Sequence, residues 1–174
     1  MKVQLLINEE FVKGILPISE NIAGQYIGTA MFEAQEIGLR SILGDCLLTT
    51  LKGHAAAEDW EQFPDYAALR DKCLMYLAYR AVVELLPKVS YKIANMGAIR
   101  ASDQNVQPMQ KVDIDAMIED YQGKADWFCD DLQRWLLANQ ASFPELDACA
   151  CDQIRGNLAS MASCGVWVGG PYAG

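Results

Sequence analysis

The chain has 174 residues and a formal net charge of −9, with 52% hydrophobic and 21% charged residues. This length predicts one domain, and the apolar fraction is high enough to build a core, which argues against a disordered chain. Nucleic-acid-binding domains usually carry dense lysine and arginine surfaces, so the negative charge argues against DNA or RNA binding as the main task. The single histidine, His54, excludes any site that needs two. The composition predicts a soluble, acidic, globular protein that is not a metalloenzyme.

The N-terminal residues and the cysteines indicate the compartment. No long apolar run precedes a small-residue cleavage site, and no run reaches about 18 apolar residues, so we expect neither a signal peptide nor a membrane span. Six cysteines could form three disulfides. However, Cys46, Cys73 and Cys129 occupy apolar positions of predicted helices, where a free thiol packs as a small hydrophobic group. We therefore expect a reduced, intracellular protein.

The first part of the chain predicts two helices. A short one is expected at about residues 8–13. A long one follows, which Ser19 or Asn21 can cap because a short polar side chain accepts a hydrogen bond from a free first-turn amide. Its apolar residues recur every three or four positions as far as residue 51. Glycine is unfavourable inside a helix, so a kink is expected near Gly38 or Gly44.

A polar loop and the most regular helix come next. Gly53 is the expected C-cap of the preceding helix, and residues 55–63 read as a loop. A helix is predicted over residues 65–86, and Pro87 is expected to end it. This helix is apolar almost all round between residues 73 and 83, which predicts burial on several sides.

Residues 88–110 change the pattern from helical to alternating. Apolar Val89, Tyr91 and Ile93 alternate with polar residues, a turn follows, and Ile99 comes after it. This spacing predicts a β-hairpin or an extended arm inserted between helices. A lone two-stranded ribbon is marginally stable, so the arm is a candidate contact surface for another subunit or protein.

The last long helix is expected to start at Asp113 or Asp115 and to end near residue 139. The tail that follows is too short to fold alone. Its apolar, glycine-flanked end could add to a sheet edge or fill a groove, or could fold back onto its own domain. We divide the chain into a helical domain over residues 1–141, with its arm at 88–110, and a C-terminal extension over 142–174. The candidate contact residues of the extension are Trp167, Val168 and Tyr172.

The acidic residues of the last helix are candidate metal ligands. Seven of the 23 acidic residues fall between residues 113 and 131. Asp113 and Asp115 are spaced as in half of a calcium loop, but the glycine and the closing glutamate of that loop are missing. The Glu-x-x-His pairs of helical di-metal enzymes are missing as well. A solvated face with favourable charge at a helix N-terminus is the preferred interpretation.

Other motifs give no support for enzymatic chemistry. Cys149 and Cys151 have one residue between them, unlike the two-residue spacing of zinc knuckles and redox motifs. His54 could act as a general base, but no nucleophile accompanies it, and a solvated loop histidine is the simpler interpretation. No phosphate-binding loop or Gly-x-Ser-x-Gly turn is present. We therefore expect no catalytic residue, no cofactor and no bound metal, and interaction surfaces are what remain.

The order of short apolar signatures resembles a known family. These signatures are SILGDCLLTTL, YLAY, ELLPKVSYKIANMGAIR, LQRWLLAN, FPEL and GVWVGG. Their layout is similar to that of the head–tail connector (adaptor) proteins of long-tailed bacteriophages and prophages. The resemblance covers nearly the whole chain, and it is one of layout rather than of a catalytic motif.

The resemblance implies a mainly α fold, which we expect as a single-domain helical bundle of about four to five helices with a small β-hairpin or extended arm. It implies a structural virion protein, made in the host cytoplasm and located at the virion neck. Many copies, typically twelve, would form a ring under the portal protein and extend the DNA channel toward the tail. The partners implied are further copies of the chain, the portal protein and a tail-completion or stopper protein. The arm and the C-terminal segment are the expected contacts.

A ring through which DNA slides should not bind the phosphates. Carboxylates repel them over about 8 Å at physiological salt. We therefore expect four acidic residues of the last helix to face the channel, so that DNA passes without being bound specifically. These are Asp113, Asp115, Glu119 and Asp120.

Two alternative functions are also consistent with the sequence. The first is a small helical regulatory or adaptor module that binds one protein partner and has no catalytic activity. The second is an enzyme that uses the acidic cluster with a divalent ion. Stoichiometry distinguishes the first from a ring, and calorimetric titration with magnesium, manganese and calcium tests the second.

Overall fold

The computed structural model describes residues 4–16, 22–94, 97–100 and 111–148. Helices dominate these residues, so the mainly α prediction is confirmed. The elements in chain order are α1 (Glu9–Ile15), α2 (Gly24–Glu33), α3 (Arg40–Ala57), α4 (Pro64–Ser90), β1 (Tyr91–Ala94), β2 (Gly97–Arg100), α5 (Lys111–Ala138) and α6 (Glu145–Ala148). A π-helical turn, Ala34–Leu39, joins α2 to α3, and a 3-10 turn, Gln140–Ser142, separates α5 from α6.

Helix α4 is the centre of the bundle. It packs against α2, the π-helical turn and α5, with α1 and α3 also in contact. Leu69, Cys73, Leu77 and Ala78 of this helix are completely buried. The prediction that this segment is buried on several sides is therefore confirmed. A fully buried leucine side chain stabilises the fold by about 1.5–3 kcal/mol relative to an exposed one.

The kink predicted near Gly38 or Gly44 lies at Gly44. This residue has φ 77° and ψ 170°, a conformation that interrupts the helical backbone inside α3. Residues with a Cβ atom adopt this region only with strain. Gly38 has a different role, because a Cβ atom there would lie 2.7 Å from the Tyr76 hydroxyl. The lack of a side chain lets the π-helical turn approach α4.

Replacing Gly44 by alanine is expected to lower the free energy of unfolding by about 1–3 kcal/mol, because the new Cβ is strained at positive φ. Gly53→Ala is the matched control in the same helix, since a Cβ there meets nothing within 4 Å. That variant should be neutral or more stable by about 0.5–1 kcal/mol. Urea denaturation followed by circular dichroism measures both. Equal stabilities of the two variants would contradict the strain at Gly44.

Several helix ends differ from the predictions. Helix α3 continues past Gly53 to Ala57, and Glu58 ends it with φ 54°. The prediction that a loop begins at residue 55 is therefore wrong, because residues 55–57 are still helical. Helix α4 continues through Pro87 to Ser90, although proline removes one backbone donor. Lys88 forms an ion pair with Glu33 of α2 and donates to the Glu84 carbonyl at 2.8 Å, so contacts with another helix stabilise the last turn.

The chain after α5 contributes to the core. Phe143 is completely buried, and Leu146 is 7% exposed. The Phe143 ring packs edge-on against Tyr66 at 5.4 Å between ring centroids and lies 5.8 Å from the Trp135 ring. The core thus continues past residue 141, where the C-terminal extension was predicted to begin. The division of the chain into domain and extension stays a prediction.

The cysteines of the described residues include free thiols and one disulfide-bonded residue. Cys73 is completely buried and free, and burial raises its pKa well above the ordinary range. Cys129 is also free and half-buried, and burial, together with Asp130 and Asp126, raises its pKa to about 11. The free-thiol prediction is confirmed for these two residues. It is wrong for Cys46, which is disulfide-bonded.

Candidate interaction surfaces

The predicted arm contains an antiparallel hairpin. Strand β1 pairs with β2 so that Tyr91 lies opposite Arg100 and Ile93 opposite Ala98. Opposite residues of an antiparallel pair share a face, and neighbours along a strand alternate. Tyr91 and Ile93 are therefore on one face, and Ile99, opposite Lys92, is on the other. The candidate contact residues of the arm are split between two faces.

The remaining candidate contact residues are placed differently. Val89 belongs to the last turn of α4 and packs, half-buried, against the core. Trp167, Val168 and Tyr172 lie outside the described residues. Within the described ranges, β1 and β2 form a two-stranded sheet, so each strand has one edge without a strand partner. An unpaired strand edge is a surface onto which another chain can add.

The four candidate channel residues are all exposed on α5, but they do not form one surface. At ~100° per residue, Asp115 and Glu119 lie on one flank of the exposed surface, whereas Asp113 and Asp120 lie about 120° away. Asp126 and Asp130, both exposed, continue the first flank. We call these four residues, Asp115, Glu119, Asp126 and Asp130, the acidic stripe. The sequence could have revealed the stripe, because its successive residues are four, seven and four positions apart, or about one, two and one helical turns.

The two flanks of α5 differ in charge pairing. On the Asp113 flank, Asp120 pairs with Lys124, and this hydrogen bond raises the pKa of the lysine. On the same flank, Asp131 pairs with Lys72 of α4 at 3.0 Å. Among the side chains that the structure describes, none forms an ion pair with a carboxylate of the stripe, and Arg134 donates to the main-chain carbonyl of Asp130 at 3.2 Å. Asp126 accepts a hydrogen bond from the neutral amide of Gln122 at 2.6 Å.

A groove runs between α4 and α5, and Phe128, one of the two aromatic residues that line it, contacts two further rings. The rings of Tyr79 and Phe128 stack with centroids 5.3 Å apart, and Trp127 packs edge-on against Phe128 at 4.9 Å. Trp127 is 58% exposed, which is unusual for so large an apolar side chain. The cavity has a volume of about 430 Å³. We call it the aromatic groove, and it is lined by Ala68, Asp71, Lys72, Met75, Phe128, Asp131 and Trp135.

His54 lies in helix α3 rather than in a loop, so the interpretation as a solvated loop histidine is wrong. Its Nδ1 atom is 2.9 Å from Asp59 Oδ1, and its ring lies 4.4 Å from Phe63 and 4.6 Å from Tyr66 between centroids. The His54 ring is therefore hydrogen-bonded to Asp59 and packed against Phe63 and Tyr66. These contacts give the histidine a packing role where α3 meets the start of α4. The Tyr66 hydroxyl donates to Glu145 at 2.8 Å, and burial together with this carboxylate raises the pKa of Tyr66 to about 12.

A second polar cluster lies at the π-helical turn. Gln35, 1% exposed, accepts from the Leu6 amide and donates to the Gln4 carbonyl, both at 2.9 Å. It thereby satisfies two backbone groups of the N-terminal segment. Glu36 next to it accepts from Lys52 at 2.7 Å and pairs with Arg40. Burial disfavours the charged carboxylate, but the hydrogen bonds from Lys52, Gln35 and Arg40 outweigh it and lower the pKa of Glu36 to about 2.

Low pH is expected to remove the stabilisation that the Glu36 carboxylate gives to the fold. Because the pKa of Glu36 is lowered on folding, its stabilisation is present above about pH 4.5 and is lost as the pH falls toward 2. We expect the wild type to lose about 1–2 kcal/mol more than Glu36→Gln between about pH 6 and pH 2.5, after discounting for solvent screening. Urea denaturation at both pH values measures the difference. Glu61→Gln, at an exposed position, should follow the wild type, and parallel losses in all three proteins would contradict the prediction.

Two classes of site find no support in the described residues. Their His, Cys, Asp and Glu side chains include no group of three that could hold a metal ion. No helix among them is both long and apolar enough to cross a membrane. The hairpin, the acidic stripe and the aromatic groove are the candidate surfaces described above.

Comparison with known proteins places the chain in a family. Residues 39–156 match a family of unknown function, DUF6712. The chain belongs to this family. The matched region begins at the end of the π-helical turn and includes α3, α4, the hairpin, α5 and α6, so all three surfaces fall inside it. No curated protein and no solved structure matches the chain.

Proposed function

We propose that the protein is a head–tail connector of a long-tailed bacteriophage or prophage, located at the virion neck. Copies of the chain would form a ring under the portal protein, extend the DNA channel and receive a tail-completion or stopper protein. The chain would act as a structural protein without catalytic activity. The observation that carries this proposal is the acidic stripe, a row of exposed carboxylates on α5 that form no ion pair with the side chains described in the structure.

The charge of the stripe suits a passage for DNA. Carboxylates repel phosphates over about 8 Å at physiological salt, so a channel lined by them does not retain the duplex. A closed ring also needs two different complementary patches on each subunit. The hairpin and the aromatic groove supply two surfaces of different chemistry, one from strand edges and one from exposed rings.

Electron microscopy of the full chain mixed with the portal protein of the same phage tests the proposal. We expect a ring of added density on one end of the portal, continuous with its channel. The portal protein alone, imaged under the same conditions, is the control. Absence of added ring density at micromolar protein would overturn the proposal.

A second candidate function rests on the aromatic groove. Such a groove, with the rings of Phe128 and Trp135 in its lining, is also the kind of surface by which a small helical adaptor binds one protein partner. Native mass spectrometry distinguishes the two functions, because an adaptor forms a defined one-to-one complex and a connector binds the portal in many copies. The connector is favoured because the adaptor gives no role to the acidic stripe.

A further inference from the structure

One cysteine of helix α3 has a covalent partner. Cys46, half-buried on this helix, is disulfide-bonded, whereas Cys73 and Cys129 are free thiols. The chain has six cysteines, so the partner of Cys46 belongs to the remaining three. These three follow α6 in the sequence and lie outside the described residues; they are Cys149, Cys151 and Cys164. The candidates for a bond with α3 are therefore all in the C-terminal segment, residues 149–174.

The two free thiols are poorly suited to disulfide exchange. The thiolate is the nucleophile of this reaction, so a raised pKa slows it. Burial raises the pKa of Cys73 well above the ordinary range, and complete burial also keeps oxidants away from the sulfur. Burial, together with Asp130 and Asp126, raises the pKa of Cys129 to about 11. Neither thiol therefore competes effectively for Cys46.

Helix α6, from which the C-terminal segment continues, packs against α3. Phe143 and Leu146 are buried and hold this end of the chain in the core. The segment follows directly on Ala148, the last residue of α6. A disulfide from α3 to the segment therefore links a helix to the chain that leaves its own packing partner.

We propose that Cys46 and a cysteine of the C-terminal segment form a redox-sensitive disulfide that fastens this segment to α3. When the bond forms, the two thiols lose two protons and two electrons. A small-molecule disulfide such as oxidised glutathione takes them up and becomes two thiols, and excess reductant reverses the exchange. The bond is independent of the connector function, because it lies within one chain and can be measured without a portal protein.

Peptide mapping of the full chain identifies the partner. The protein is treated with oxidised glutathione, its remaining thiols are blocked with iodoacetamide in denaturant, and trypsin cuts it after lysine and arginine. The cysteines then fall on separate peptides: Cys46 on residues 41–52, Cys73 on 73–80, Cys129 on 125–134, Cys149 and Cys151 on 135–155, and Cys164 on 156–174. Mass spectrometry is expected to find peptide 41–52 joined to 135–155 or to 156–174, and to find this link lost after reduction.

Three results of the mapping would overturn the proposal. The first is peptide 41–52 joined to 73–80 or to 125–134, and the second is a blocked Cys46 after oxidation. The third comes from a mixture of ¹⁵N-labelled and unlabelled protein. A bond within one chain gives linked peptides of a single isotope, whereas peptides of mixed isotope would show a bond between two copies.

The disulfide should also make the stability of the protein depend on its redox state. The bond closes a loop of about 100 residues or more, which restricts the unfolded chain. The midpoint of thermal unfolding of the oxidised protein should therefore lie about 5–15 °C above that of the reduced protein. Cys46→Ser should unfold at the same temperature in both conditions. Cys129→Ser, which removes a free thiol, is the matched control and should keep the full difference. Equal midpoints for the oxidised and reduced wild type would overturn the fastening.

Discussion

Phe143→Ala is expected to lower the free energy of unfolding by about 3–5 kcal/mol, the largest change in stability among the variants considered. Phe143 is completely buried and touches the rings of Tyr66 and Trp135, which belong to α4 and α5. Its removal leaves a cavity where the chain after α5 closes the core. For a chain of this size, the midpoint of thermal unfolding should fall by about 10 °C.

Phe32→Ala is the matched control, since this phenylalanine is 40% exposed on α2. It should cost about 1–2 kcal/mol, clearly less than Phe143→Ala, because much of its side chain is already in contact with water. Differential scanning calorimetry of both variants gives the comparison. If the two variants unfolded at the same temperature, residues 143–148 would not belong to the cooperative core.

Reversing the charge of the acidic stripe is expected to turn a protein that lets DNA pass into one that retains it. The variant carries Asp115→Lys, Glu119→Lys, Asp126→Lys and Asp130→Lys, which changes the net charge from −9 to −1. Rings of this variant on the portal should bind duplex DNA with a dissociation constant of about 10⁻⁴–10⁻⁶ M or tighter at physiological salt. The wild-type ring should show no binding in that range.

Fluorescence anisotropy of a labelled duplex measures the binding, and its steep loss with salt identifies phosphate contacts. A control variant places the same four charge reversals elsewhere, at the exposed residues Glu10, Glu58, Glu61 and Asp65. This control tests the stripe separately from the net charge. Equal DNA binding by both variants would contradict a channel-facing stripe, whereas a missing ring would already contradict the connector itself.

Periodicity in the sequence was sufficient to predict the main elements. The recurrence of apolar residues on α4 and α5 predicted both helices, because helical spacing determines which residues share a face. Alternation at Tyr91 and Ile93 predicted the hairpin in the same way. The predicted helix ends were less accurate, since contacts between helices decide whether a turn such as that of Pro87 and Lys88 remains helical.

The candidate surfaces were predicted less completely than the fold. The acidic character of α5 could be predicted, but Asp113 and Asp120 fall on the flank with the lysines, away from Asp115 and Glu119. The aromatic groove was missed. Tyr79 and Phe128 are far apart in sequence, and they meet because α4 and α5 pack side by side.

The sequence by itself determined that the chain is mainly helical, where the hairpin lies and that α5 is acidic, because each of these depends on neighbours within about one or two turns of chain. The tertiary structure alone decided the role of Gln35, the backbone of Gly44, the burial of Phe143 and the groove between α4 and α5. Those features depend on which distant elements come into contact, and local periodicity carries no information about such contacts.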